Sequence, residues 1–314
     1  MSHNVETMAY TGQVPWHGLG VRVNNDLSPE QMMKAAGLDW NVKAVAGSAK
    51  FNGKHIPLPV KGLVRESDGS LLTVITKNWN PVQNSDAFNF FDEFVRAGEM
   101  EMHTAGSLRG GKIVWVLAKV NESFEVLKKD KVDSYMLLTN PHLYGKRMSC
   151  RSTQIRVVCN NTLDMAFAEK SELLIKFDHR VAFDPDRIKE ALGISAAQRK
   201  AYKEAATFLA TSRAKEEDLV AYFNTVFPKK KAETETKADK DELSKNTALF
   251  MDILDKQPGA DLFPGTWWNA FNAVTYAFDH VRGKDQNVRL DSAWYGFGAN
   301  AKAKALKTAL DMAS

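Results

Sequence analysis

Cysteine is nearly absent from this chain. Cys150 and Cys159 are the only two in 314 residues, and on one strand they lie too far apart to bridge, so no disulfide framework is expected. Long apolar runs are missing as well. No window approaches the ~18–20 consecutive apolar residues that span a bilayer, and the start, MSHNVETMAY, has neither the basic nor the apolar region of a secretory leader. A cytoplasmic protein with no membrane partner is the expectation. Metal spacing is lacking too: His3, His17, His55, His103, His142, His179 and His280 are scattered, with no H-x-x-x-H pair and no C-x-x-C. Gly18 and Gly20 have neither the third glycine of a dinucleotide fingerprint nor the ending of a phosphate loop, and Pro15–Gly20 reads as a structural turn packing Trp16. No metal and no cofactor are expected.

What is present is an ordinary globular composition, 44% hydrophobic and 25% charged, in a chain long enough for one large domain or two ordinary ones. The net charge is only +4, but its placement is uneven. Between His103 and Asn160 stand ten basic residues (Arg109, Lys112, Lys119, Lys128, Lys129, Lys131, Lys146, Arg147, Arg151 and Arg156) against the acids Glu122, Glu125, Asp130 and Asp133. That excess of six exceeds the surplus of the whole chain.

Ser28 precedes Pro29 and is placed to cap a helix carrying Met32, Met33 and Ala36. Val42–Val45, Leu58–Val64 and Leu71–Ile75, separated by Asn52-Gly53 and Asp68-Gly69, read as a small antiparallel meander. Ser85 to Gly98 has helical spacing at Ala87, Phe91, Phe94 and Val95. Ala105–Leu108, a turn at Gly110-Gly111 and Ile113–Val120 predict a hairpin, followed by strands at Tyr135–Thr139 and Met148–Val158. Asn160 then stands as an N-cap before Leu163, Met165, Ala166 and Phe167. Ser195 to Gln198 matches a capping box, and the apolar stripe Leu219, Val220, Phe223, Val226, Phe227 runs to Pro228. Lys229–Lys245 is charged and apolar-poor, which predicts an exposed connection. A last helix from Thr266 places Trp267, Phe271, Val274 and Phe278 on one side.

Two constellations carry chemistry. Cys159, at a strand-to-helix junction, is the best nucleophile, because a helix N-terminus lowers a thiol's pKa, with His103 as a candidate base; a buried cysteine beside a capping Asn160 accounts for the same residues. On one strand, Arg147, Ser149, Arg151 and Thr153 share a face and all donate to phosphate or sugar oxygens. Lys146, Arg109 and Lys112 extend that track, Arg156 stands on the opposite parity, and Tyr135 or Tyr144 is available for base stacking. An ordinary solvated sheet face is the competing account.

Four stretches resemble the phage/plasmid-like family of unknown function, DUF932: Pro15–Gly20 (PWHGLG), Ala105–Lys119 with its Gly-Gly turn, Ile155–Leu163 (IRVVCNNTL), and Thr266 through Gly298, including Trp294-Tyr295-Gly296-Phe297-Gly298. That resemblance runs nearly end to end and implies residence on mobile elements. A more distant likeness, in element order and charge alone, is to single-strand annealing recombinases, whose β-β-β-α unit would here be Ile113–Val120, Tyr135–Thr139, Met148–Val158 and the helix after Asn160.

The sequence thus predicts an α+β protein: an antiparallel β-meander core with a β-β-β-α unit in residues 1–180, a helical segment over 181–228, a lysine-rich linker at 229–245, and a helical, aromatic C-terminal part at 246–314 that packs on the core. The function expected is single-stranded DNA binding and annealing for phage or plasmid recombination or replication, by a homo-oligomer, a ring among the candidates. The alternatives are a protein-interaction module, such as an inhibitor of host defence, using Trp294, Tyr295 and Phe297, and a thiol enzyme using Cys159.

Overall fold

A computed structural model describes residues 5–12, 20–76, 78–156, 161–164, 174–177, 199–228, 243–283, 292 and 297–314. Two units interleave along the chain. Met1–Asn121, Tyr135–Ser152 and Ser171–Ile194 form the first, and Glu122–Ser134, Thr153–Lys170 and Ser195–Ser314 the second.

The first unit begins with strands β1 (Val5–Tyr10) and β2 (Val21–Arg22) and helix α1 (Pro29–Ala35). Ser28 Oγ accepts from the Gln31 N–H while the Gln31 side chain accepts from the Ser28 N–H, a reciprocal cap with proline at the first helical position. The meander follows as β3 (Val42–Phe51), β4 (Lys54–Arg65) and β5 (Leu71–Ile75), an antiparallel sheet in that order. Asn52 and Gly53 both adopt positive φ, 48° and 77°, as the tightest hairpin turn requires. The helix expected from Ser85 to Gly98 is broken into α2 (Asn84–Asn89) and α3 (Asp92–Arg96). The break delivers both Phe90 and Phe91 to the core.

The larger sheet is built from β6 (Met100–Leu108), β7 (Ile113–Val126), β8 (Asp130–Pro141) and β9 (Met148–Arg156). Its order in the first unit is β9-β8-β7-β6-β1-β2, with β11 (Leu174–Phe177) antiparallel to β9. Val114, Val116 and Ala118 of β7 pack with Met32, Leu38, Phe88 and Phe91 in one buried cluster. Gly106 must lack a side chain, because a Cβ there would stand 2.3 Å from the Trp115 ring and 2.5 Å from the Thr7 carbonyl.

The second unit takes the tip of the β7–β8 hairpin, where Leu127 and Lys128 have positive φ, and the end of β9 with its antiparallel partner β10 (Asn161–Asp164). Its helices are α4 (199–211), α5 (Glu216–Val226), α6 (Lys245–Lys256), α7 (Trp267–Tyr276) and α8 (Phe297–Ala313). The helix expected from Thr266 is α7, with the Thr266 side chain as its cap, and a π-turn, Ala277–Val281, continues it. Trp268, Phe271, Tyr222, Phe223 and Phe250 form the centre of this core. The buried Tyr222 hydroxyl donates to the Ala305 carbonyl at 3.0 Å.

Two expectations are corrected. The helix of the β-β-β-α unit does not begin directly at Asn160: residues 161–164 form β10, in register Asn161↔Arg156 to Asp164↔Thr153, and residues 165–173 lie outside the described residues. An asparagine pair serves a chain reversal as well as a helix cap, and the β-branched Thr162 suits the strand. The connection predicted for 229–245 also ends earlier, because Ser244 caps α6 and Lys245 is its first residue. Residues 229–242, Trp16 within PWHGLG, and Ser195–Gln198 lie outside the described residues. Among the described residues no helix is long and apolar enough to cross a membrane.

Candidate nucleic-acid interface

Between β6 and β7 the chain reverses through Arg109, Gly110 and Gly111, all at positive φ (56°, 66° and 77°). Gly111 is required by close approach as much as by φ. A Cβ there would stand 2.9 Å from an Arg65 guanidinium nitrogen and 3.2 Å from the Trp40 ring. Arg65 is held in this position by Glu6 at 2.7 Å and by Asp68, and its guanidinium lies 5.3 Å from the Trp40 ring centroid. The hydrogen bond from Arg65, then those from Ser70, hold the Asp68 carboxyl well below the usual carboxylate range.

The segment leaving β8 is tied to the same turn. The His142 N–H donates to the Lys112 carbonyl at 2.8 Å. The His142 ring is fully buried, 5.3 Å from the Trp40 ring, and its Nε2 meets Asn84 Oδ1 at 2.9 Å. Asn84 Nδ2 donates to the carbonyls of Leu38 and Trp40, so its oxygen is the acceptor and His142 Nε2 carries the proton. From this anchor the chain turns through Gly145, φ 79°, with the Tyr144 N–H donating to Thr73 Oγ1 of β5 at 3.3 Å. Two polar loops, 109–112 and 142–147, thereby meet at one end of the sheet. Arg109, Tyr144, Lys146 and Arg147 are exposed on them and Lys112 is half-buried.

The sheet-face track is corrected by the same geometry. Arg147 precedes β9 rather than belonging to it. Ser149 is buried with its hydroxyl 2.8 Å from that of Thr139, Thr153 is 1% exposed, and Arg151 is half-buried with Nε and Nη2 withdrawn from solvent. Met148, Cys150 and Ser152, of the other parity, are buried as well, so neither face of β9 is wet over these residues. Small hydroxyl side chains that bond one another are buried at low cost, which is why the polar alternation misled. Tyr135 is likewise buried, with its ring edge on His103 at 5.0 Å, and offers no face for stacking. Arg156 closes β9 opposite Asn161, and its side chain lies outside the described residues.

The thiol reading gains no support. Burial pushes the Cys150 thiol up to about 12, and Cys159 lies outside the described residues. Among the described residues no cluster of three histidines, cysteines or carboxylates is placed to hold a metal.

Residues 71–294, from β5 almost to α8, match the model of a domain of unknown function, DUF932. The chain belongs to the DUF932 family. No curated protein and no solved structure matches it. In this DUF932 protein the matched stretch contains both basic loops, whereas the hairpin of β3 and β4 precedes it. That hairpin holds the residues that motif reading overlooked. No acid stands between Asp39 and Glu66, while Lys43, Lys50, Lys54 and Lys61 all do, and all four are exposed. The signal was a local lack of acids, which a search for catalytic spacings does not register.

Proposed function

We propose that this protein binds single-stranded DNA and promotes its annealing in the recombination or replication of a phage or plasmid, with no cofactor. The observation that supports this reading is the bond from the His142 N–H to the Lys112 carbonyl, which brings Arg109, Lys112, Lys146 and Arg147 together beside the exposed Tyr144. Cationic side chains on a rigid rim neutralise phosphates, and backbone contacts of that kind position a strand without selecting its sequence. Tyr144, 45% exposed, supplies an aromatic face on which an unpaired base of any identity stacks. Bases otherwise left unread remain available for pairing.

The test is the rate at which two complementary oligonucleotides, one carrying a fluorophore and the other a quencher, form duplex with and without the protein. Acceleration at low salt that fades as salt rises is the expected result. Unchanged rates over the whole salt range, at protein concentrations that saturate the strands, would remove the annealing step.

A second reading, docking of another protein on the C-terminal aromatic surface, draws on Phe297, which is 66% exposed; Trp294 and Tyr295 lie outside the described residues.

A further inference from the structure

The hairpin of β3 and β4 is exposed in an unusual way. Every residue from Ser48 to Pro59 is solvent-exposed, including Phe51 (66%), Ile56 (46%) and Leu58 (42%). A half-buried strand shows alternation, and this stretch shows none, so both of its faces are open. β5 pairs with β4 only over Lys61–Val64, leaving the outer half of the hairpin as a two-stranded ribbon. Such ribbons are at best marginally stable alone in water, and exposed apolar side chains at their tips mark interaction surfaces.

The occupant follows from charge and from edge chemistry. The ribbon carries Lys50, Lys54 and His55 with no acid on either strand, which fits a polyanion. A second copy of the ribbon would bring like charges together. Strand addition is also blocked along the outer edge of β4, because Pro57 and Pro59 have no N–H to donate, and lysines at 43 and 50 guard β3. The register sorts the side chains. Phe51 stands opposite Lys54 and Ala49 opposite Ile56, on one face; Lys50 pairs with His55 on the other. One face therefore combines an ammonium with an exposed aromatic ring and an aliphatic side chain, the combination that holds an unpaired nucleotide by its phosphate and its base.

We infer that this ribbon is an arm that grips a single-stranded nucleic acid wrapped around its edge, with Phe51, flanked by Ile56, against a base and Lys54 on a phosphate on one face, and Lys50 on a following phosphate on the other. The inference rests on the single-strand reading of the chain, but it places a second contact on different residues. The root of the arm adjoins the basic rim: β5, hydrogen-bonded to β4, offers Thr73 Oγ1 to the Tyr144 N–H, and Arg65 at the end of β4 lies against Gly111. A strand crossing the rim can continue along the arm.

The test compares wild type, Lys50→Glu/Lys54→Glu, Phe51→Ala and the rim variant Lys146→Glu/Arg147→Glu by fluorescence anisotropy with a labelled oligonucleotide over a salt series. A circular dichroism melt of each variant serves as the folding control. The arm reversal is expected to weaken binding by about tenfold or more and to flatten the slope of log affinity against log salt by about 1.4, for two phosphate contacts on a single strand. Phe51→Ala is expected to weaken binding by about tenfold with the slope unchanged, since stacking displaces no counterion. Tryptic cleavage after Lys50 and Lys54, followed by mass spectrometry, should slow when the oligonucleotide is added. Arm variants that bind like wild type while the rim variant is weakened overturn the arm and leave the rim standing. Loss in the arm variants alone overturns the rim and leaves the arm. Arm variants that keep DNA affinity but lose self-association in light scattering assign the ribbon to a second copy, and no binding by wild type at low salt removes both contacts.

Discussion

At the scale of single residues, the rim depends on groups that never touch solvent. Asn84 is 1% exposed and joins three partners: the Leu38 and Trp40 carbonyls and the ring of His142. Asn84→Ala removes the donor to both carbonyls and the acceptor of His142 Nε2, which is expected to cost about 3 kcal/mol, since each buried polar group left without its bond costs ~1–3 kcal/mol. A urea melt measures it, and a loss under about 0.5 kcal/mol would mean that the network does not hold the loop. Asp68 gives a pH prediction of definite sign. Its folded pKa lies below the ordinary carboxylate value of 3.8, chiefly because Arg65 bonds it. Its contribution is therefore present above that value and lost only as pH falls through the depressed one. Carboxyl-carbon NMR should place the Asp68 midpoint well under 3.8; a midpoint at or above it would show the Arg65 clamp to be open in solution.

At the scale of elements, the second unit contains a buried ion pair whose loss is measurable. Lys302 of α8, 0% exposed, donates to Asp279 of the π-turn at 2.9 Å. Lys302→Met leaves a carboxylate in the core without this cation and is expected to destabilise the protein by about 3–5 kcal/mol. The exposed Lys307→Met should change stability by under about 1 kcal/mol in the same denaturant titration. Equal effects would contradict the burial of the pair. Legibility also divided by element. Ser28 with Pro29, Asn52-Gly53, Gly110-Gly111 and Thr266 with its tryptophans were readable because each rests on local backbone chemistry. The strand at Asn161–Asp164 was not, because asparagine before an apolar run caps a helix or reverses a hairpin equally well, and its pairing with Thr153–Arg156 decides between them. The buried face of β9 was hidden for a related reason: Ser149 and Thr139 are polar in sequence and satisfy each other in space. The sequence places Arg147 on a strand face with Lys146, Arg109 and Lys112 extending that track, whereas a hydrogen bond between the loops that carry them, from the His142 N–H to the Lys112 carbonyl, joins those loops.

At the scale of the whole molecule, the surplus of +4 is concentrated rather than spread, and concentrated positive charge steers polyanions while net charge alone does little. Annealing by a rim of this size needs several copies in line, so the protein is expected to self-associate, and light scattering at micromolar concentration with and without oligonucleotide checks it; a strict monomer in both conditions would contradict the annealing step. The two loops joined at His142 and Lys112 are proposed to form a backbone-binding rim. Its most direct test is the salt dependence of single-strand affinity in Lys146→Glu/Arg147→Glu compared with wild type. The rim predicts weaker binding to oligonucleotides of every sequence and a slope shallower by about 1.4, with an unchanged melt. An affinity and slope equal to those of wild type would contradict it.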